Sequence, residues 1–520
     1  MLPTTIDDYD NGKTYKYRRL SFTVSTKELI VLTTDNNKFN ESGVSNQIDV
    51  EFDSSDQTWL KRQEKVREAF QHSWNGYVRD AWGYDEYHPI SRVGSNLSQR
   101  GIGFTIVDSI DTLLIMGLKD EYSKARDWIA NTLDFNIDGN FNVFETTIRV
   151  LGGLLSAYHL SGNDTTYLQK AIDLGDRLLG AFDSPTGIPY ASVNLATREG
   201  IPSHFNEGVS STSEATTLQL EFRYLSYLTN NYDYWSRVEG IMSTIDALSK
   251  LDGLAPIYLS PKLGTFFGET ITLGARGDSY YEYLLKQYLQ TACTERFYRR
   301  MYDEAIQGVK KHLISYSSPS RLLFIGETLT FDTTIRNKMD HLVCFMGGNL
   351  ALGATQGEKL NNAKNLSEND LEDLKIGREL TKTCAQMYFH TETGLAPEIV
   401  HFNTQEGSTE DLFIKAFDRH NLLRPETVES LFILWRITGD VQYRIWGWEI
   451  FQAFEKYSKL QDGGYTSLDD VTMVPPAETL KYFYLLFGTD DVLPLNKYVF
   501  NTEAHPLPIF KPSFPSTMHE

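Results

Sequence analysis

The chain has 520 residues, a formal net charge of −20 from 69 acidic and 49 basic side chains, and a composition that is 41% hydrophobic and 13% aromatic. Such a charge argues against a nucleic-acid surface, which needs clustered Lys and Arg, and suits a neutral or cationic ligand. No apolar run reaches the roughly 18 residues of a membrane span, and the N-terminus lacks the basic-then-apolar pattern of a signal peptide, so the chain as it stands reads as soluble and unaddressed.

In chain order, residues 1–57 are polar, rich in Asp, Asn, Ser and Thr, with one short apolar run from Leu29 to Leu32. They are predicted to form a loosely ordered arm. From 58 to 510 no Pro/Gly/Ser-rich or low-complexity stretch interrupts the sequence, which implies one large core. Residues 511–520 are read as a short tail. Within the long segment a carboxylate repeatedly sits where an apolar helical pattern begins: Glu145, Glu214, Asp278, Glu426 and Glu478. A single first-turn acid is explained by the helix dipole and the free backbone N–H groups. Five in series point to helices that open their same ends onto one space.

Between the apolar segments a similar phrase returns: LSGNDTTY at 160–167, LTNNYDYW at 228–235, ITGDVQYRIW at 437–446 and, more loosely, MGLKDEYSKARDWI at 116–129. Each reads as a helix stop on Gly or Asn, a short turn, and a helix start on Asp or Asn, which makes an antiparallel helical hairpin. A hairpin of this kind cannot bury both faces alone. About seven in series would stack, as a solenoid or a closed ring, and a ring gathers the acids in one cavity. The few strand-like pieces, such as 394–402, then become hairpins on that rim.

Three cysteines, Cys293, Cys344 and Cys384, are too few for a disulfide framework and lack zinc-site spacing. Sequons at Asn40, Asn96, Asn163 and Asn365 hint at a secretory lumen, where one disulfide could persist.

The phrases VDSIDTLLIMGL (107–118), FETTIRVLGGLLSAY (144–158), GARGDSYYEYLLKQ (274–287), HLVCFMGG (341–348), GLAPEIVHF (394–402), LLRPETVESLF (422–432), AETLKYFYLLF (477–487) and NTEAHPL (501–507) resemble, in order, those of the class I α-1,2-mannosidases of glycoside hydrolase family 47. The resemblance covers about residues 58–510. It implies an all-α fold, an (α/α)7 barrel with small β-hairpins on one rim. It also implies calcium-dependent, inverting hydrolysis of terminal α-1,2-linked mannose from high-mannose N-glycans on glycoproteins, in processing and quality control in the endoplasmic reticulum lumen. A monomer without nucleic-acid or membrane partners is expected.

Carried over residue by residue, the resemblance makes Glu145 the general acid, Glu426 the general base and Asp278 a third essential carboxylate, consistent with the two carboxylates that inverting hydrolysis requires. Thr502 is the implied Ca2+ ligand, although Asn-Thr-Glu taken alone reads as a turn. Glu282, Glu398, Glu429, Glu478 and Glu503 would orient water around the ion, and Glu214 would support sugar or water. Arg149, one turn beyond Glu145, reads as a helix ion pair and, by resemblance, as part of the site. His341 reads as a capped structural His that the resemblance turns toward the cavity. Arg276 matches endoplasmic-reticulum members, whose Arg in the G-x-R-G-D phrase could fix one glycan branch and limit trimming to one mannose, from nine to eight. Cys344 and Cys384 match the family's disulfide, and Cys293 is expected to be a buried thiol.

Two departures stand out. Family members of this type usually carry an N-terminal anchor, and none is seen here. The stretch DVTMVPPAETLKY (470–482) is also short of roughly ten residues that would supply an aromatic wall and another carboxylate. Pro475 and Pro476 suit a helix start and cannot replace that wall. The alternative function is therefore a catalytically impaired mannose-glycan-binding protein of the same fold.

Overall fold

The computed structural model describes residues 56–204, 206–332, 334–465, 467, 470–471 and 479–514. All of them fall in one compact unit, Ser54–Glu520. The described helices are α1 (Asp56–Asp80), α2 (Phe104–Ile115), α3 (Lys119–Asn131), α4 (Val143–Glu145), α5 (Gly152–Leu160), α6 (Thr165–Leu178), α7 (Thr212–Thr216), α8 (Gln219–Thr229), α9 (Tyr232–Ala247), α10 (Asp278–Gln290), α11 (Arg296–His312), α12 (Phe345–Thr355), α13 (Glu368–Phe389), α14 (Glu426–Thr438), α15 (Gln442–Tyr457) and α16 (Leu480–Phe487). A π-helical turn, Thr146–Leu151, joins α4 to α5. Helix α1 begins inside the segment whose composition suggested an arm.

The recurrent phrases act as turns for identifiable reasons. Asp164 caps α6 by accepting from the Thr166 N–H (3.0 Å), and Asn231 caps α9 by accepting from the Asp233 N–H (3.1 Å). Helices α8 and α14 end on left-handed Asn230 (φ 53°) and Gly439 (φ 71°), where the missing or short polar side chain tolerates positive φ. The result is a series of antiparallel pairs: α2 on α3, α5 on α6, α8 on α9, α10 on α11, α12 on α13, and α14 on α15.

Burial separates the two helices of each pair. Helix α10 is buried on all sides from Ser279 to Gln287, whereas its partner α11 buries one stripe, from Phe297, Met301 and Tyr302 to Ala305, Ile306 and Val309. A stripe at that spacing covers a core from outside, and a helix buried all round lies within it. The inner helices touch in succession: α2–α5, α5–α8, α8–α10, α10–α12, α12–α14 and α14–α16. Helix α16 returns to α2 through Lys481 Nζ, 3.0 Å from Asp111 Oδ1. Helix α1 packs on α16 from outside.

The close approach of α12 and α13 depends on glycine: a Cβ on Gly377 would lie 2.7 Å from the Gly347 carbonyl oxygen. The same contact is bridged by the Cys344–Cys384 disulfide, Cα–Cα 5.9 Å. Cys293 departs from expectation. It is only partly buried, packed at the edge of the core where it follows α10 in a positive-φ turn (φ 61°).

Strands form small antiparallel sheets of two or three members, and several lead directly into inner-helix starts. Asn140–Asn142 enters α4, Ser210–Ser211 enters α7, and Lys338–Asp340 enters the 3-10 turn His341–Cys344 before α12. Lys338–Asp340 pairs with Ile399–Phe402, which pairs in turn with Leu412–Phe413. The chain beyond 510 packs as well, with the Phe514 ring 5.0 Å from that of Tyr232.

Candidate active site

Glu145 is the third residue of α4, and its N–H donates to the capping Asn142 Oδ1 at 2.8 Å. Arg149, four residues on, donates through Nε to Glu145 Oε2 at 2.8 Å. Its Nη1 also pairs with Glu503 and lies 3.6 Å from Asp108 Oδ2. Burial would weaken the guanidinium's hold on its proton, but Glu503, Asp108 and Glu145 outweigh it and move the group further into its charged form. Arg149 is thus a cation that fixes three carboxylates from three parts of the chain. Glu214 lies close by: the Asn142 amide also donates to its Oε1 at 3.4 Å, and burial raises its carboxyl.

A second group gathers on α10 and α14, whose first residues are Asp278 and Glu426. Asp278 is pushed up to about 7, first by burial and further by Glu282 and Glu426. Lys286 Nζ lies 2.5 Å from Glu282 Oε1 and 3.1 Å from Glu429 Oε1, with all three side chains almost wholly buried. Glu426 Oε2 faces His341 Nδ1 at 3.2 Å. The other ring nitrogen of His341 lies 2.9 Å from both the Tyr388 hydroxyl and Thr427 Oγ1. His341 is therefore buried, as the structural reading holds, and also turned to Glu426. Glu398 pairs with Arg424 and accepts the Leu422 N–H at 2.9 Å. The charge of Arg424 is in turn favoured by Glu426 and Asp278.

The two groups meet at Tyr482 on α16, which feels the charges of Glu429, Glu282 and Glu503. Sequence reasoning gave no site role to Asp108, Asp111, Lys481, His505, Lys286 or Arg424. His505 lies 2.7 Å from Asp111 and 3.0 Å from Asp108. Burial disfavours its charge, but the two aspartates prevail and raise it to about 9. The available signal was two aspartates, three apart, inside the apolar run VDSIDTLLIM. Arg276 is exposed, at positive φ (75°), with its guanidinium 5.4 Å from the Tyr258 ring centre. Glu478, Pro475 and Pro476 lie outside the described residues.

Thr502 is half-buried between strands Tyr498–Phe500 and Pro506–Pro508, with its N–H 3.4 Å from the Tyr283 hydroxyl. The Tyr283 hydroxyl also donates to Glu221 at 2.9 Å. Burial pushes Glu221 up to about 7 and drives Glu429 and Glu503 upward, and Glu221 Oε2 is buried without a hydrogen-bond partner among the described residues. Oxygen donors with unmet negative charge fit a hard divalent cation such as Ca2+. Among the described residues no three carboxylates, imidazoles or thiols close into a cage. A cation here would rest on Thr502 and water, with the acids one step removed.

A helical scaffold with carboxylates held at the starts of its inner helices, Asp278 and Glu214 among them raised by burial, has the equipment of a glycoside hydrolase. The sequence model of glycosyl hydrolase family 47 matches residues 69–509. The chain is 52% identical over 484 residues to a mannosyl-oligosaccharide 1,2-alpha-mannosidase of Candida albicans, covering 88% of this chain and 86% of that one. It is 45% identical over 497 residues to the endoplasmic reticulum mannosyl-oligosaccharide 1,2-alpha-mannosidase of Saccharomyces cerevisiae, covering 86% and 90%. Among solved structures, an alpha-1,2-mannosidase from Trichoderma reesei superposes with a TM-score of 0.78 at 28% identity, covering 86% of this chain and 99% of that one. The chain belongs to glycosyl hydrolase family 47 and is a glycoside hydrolase.

Proposed function

We propose that the protein is a calcium-dependent, inverting mannosyl-oligosaccharide 1,2-α-mannosidase that trims nine-mannose N-glycans to eight-mannose products in the endoplasmic reticulum lumen, as part of glycoprotein quality control. The observation that carries the reading is the convergence of Glu145, Arg149, Asp278, Glu282, Glu426, Glu429 and Glu503, spread over more than 350 residues of chain, into one linked network of charges. The succession of paired helices, with α16 returning to α2 through Lys481, supports a closed (α/α)7 barrel as its scaffold. The barrel would occupy about 58–510, after an N-terminal arm and before a short tail.

In this mechanism Glu145, kept in place by Arg149, delivers a proton to the leaving glycosidic oxygen. Glu426, held by His341, takes a proton from the attacking water. The two acids stand on different inner helices, an arrangement that suits the wider spacing inversion requires. Asp278, half protonated near neutral pH, can relay a proton through water. Thr502 is the residue that would hold Ca2+, and the ion when bound would engage sugar hydroxyls as a Lewis acid. Glu282, Glu398, Glu429, Glu503 and, on the sequence reading, Glu478 would order the water around it, with Glu214 beside the sugar. Exposed Arg276 would select the branch. The paired states of Glu145 and Glu426 favour turnover over the binding-only alternative.

The test is incubation of the purified chain with a nine-mannose glycan, with and without a calcium chelator, alongside Arg276→Leu. A single eight-mannose product that disappears on chelation supports the reading. Glycan that binds without being cut would refute it, and an unchanged product pattern in Arg276→Leu would remove the branch-selecting role.

A further inference from the structure

The sheet Lys338–Asp340, Ile399–Phe402 and Leu412–Phe413 has a second end that the mechanism does not use. One end runs into the network described above: Asp340 precedes His341, and Ile399 follows Glu398. Toward the other end lies an open cavity of about 360 Å³ lined by Glu327, Arg336, Lys338, His401, Phe413 and Lys415. Lys338, His401 and Phe413 are directly opposed across the three strands, so they stand in a row on one face.

The row is prearranged. The His401 ring stacks on Phe413 at 5.4 Å and 25°, and its Nε2 is held by Asp418 at 2.9 Å. Lys338 Nζ is fixed between Glu327 (2.7 Å) and Asp340 (2.8 Å). Phe413 remains 41% exposed, and Phe417, four residues on, is 95% exposed. Lys338 is thus held by two acids while Arg336 and Lys415 stand at the rim as donors, and a planar aromatic face ringed by such donors and acceptors suits a hydroxyl-rich ligand. Asp340, at the opposite end of the strand and paired with Lys338, accepts the N–H of Ala275, the neighbour of Arg276, through Oδ2 at 3.2 Å. Lys338 and His341 are three residues apart, a span of about 10 Å in extended chain.

We propose that this cavity is a second glycan subsite, which stacks a sugar of the same oligosaccharide outside the disaccharide being cut. The inference rests on the mannosidase reading and deepens it. Its test uses Phe413→Ala and Lys415→Ala and two readouts. In turnover, Phe413→Ala should raise KM for a nine-mannose glycan about tenfold, as expected for loss of one stacking contact, with kcat unchanged. It should leave kcat/KM for the disaccharide mannose-α-1,2-mannose as in wild type. In binding, a five-mannose glycan with no α-1,2 linkage should bind wild type in the presence of saturating disaccharide and bind Phe413→Ala about tenfold more weakly, with Lys415→Ala shifted in the same direction. Equal affinity of wild type and Phe413→Ala for that glycan, or an equal loss on both turnover substrates, would overturn the subsite. Wild type that cuts neither substrate would overturn the mannosidase reading, while the binding comparison still decides the subsite.

Discussion

Replacing Lys286 with Met removes the ammonium that lies between Glu282 (2.5 Å) and Glu429 (3.1 Å) and leaves two carboxylates in a space where the three side chains are 2–8% exposed. Breaking a buried ion pair from one side costs about 3–5 kcal/mol, because the remaining charge is uncompensated. Glu429 is already driven upward by burial, with Lys286 as its main counterweight. Without that counterweight a carboxylate stays protonated in the folded chain at neutral pH and ionises freely in the unfolded one. The folded state then binds the extra proton, so the deficit must shrink as pH falls. Glu429 of wild type, pushed up to about 7, takes up most of a proton over the same range, so the deficit recovered between pH 7.5 and 5.5 is about 1 kcal/mol. Urea unfolding of Lys286→Met and wild type at those two pH values measures it. A deficit of the same size at both would mean that Lys286 matters for packing alone and would refute the charge argument.

Other consequences follow from the same geometry. Glu145→Gln and Glu426→Gln should each lower kcat at least a hundredfold while glycan still binds, measured by turnover and by titration calorimetry. Changing both Cys344 and Cys384 to Ala opens a loop of 40 residues and should cost about 4 kcal/mol in the chain-entropy account, read from the urea midpoint. His505 is raised to about 9 by Asp111 and Asp108, so its contribution is complete below about pH 6.5 and is lost as pH rises through 9. Asp111 and Asp108 are held below the usual carboxylate range by Lys481, His505 and Arg149, so their contribution is present above about pH 4 and lost in acid. The stability difference between wild type and His505→Gln in thermal unfolding should therefore be roughly 3 kcal/mol smaller at pH 9 than below pH 6.

The helical hairpins were legible because their signals are local. Asn230, Asn231, Asp164 and Gly439 cap or stop helices within a few residues of themselves, and apolar spacing shows which face turns inward. The carboxylates at helix starts were legible for the same reason. Their partners were less so: Lys286 reaches Glu429 across 143 positions and His505 reaches Asp111 across 394, and no spacing rule encodes such pairs. Lys286 is also four residues from Glu282, which reads as an ordinary surface helix pair until burial is known. Cys293 was misjudged because thiols are usually buried, while a two-residue positive-φ turn, Ala292 and Cys293, sets its exposure. The cavity beside Phe413 had no sequence signature, since it depends on the register of three strands drawn from a stretch of more than 70 residues.

The most direct test of the central claim is mass analysis of a nine-mannose glycan after incubation with the purified protein in calcium. The account predicts loss of one mannose in wild type and none in Glu145→Gln or after chelation. Wild type that binds the glycan but releases no mannose would contradict it.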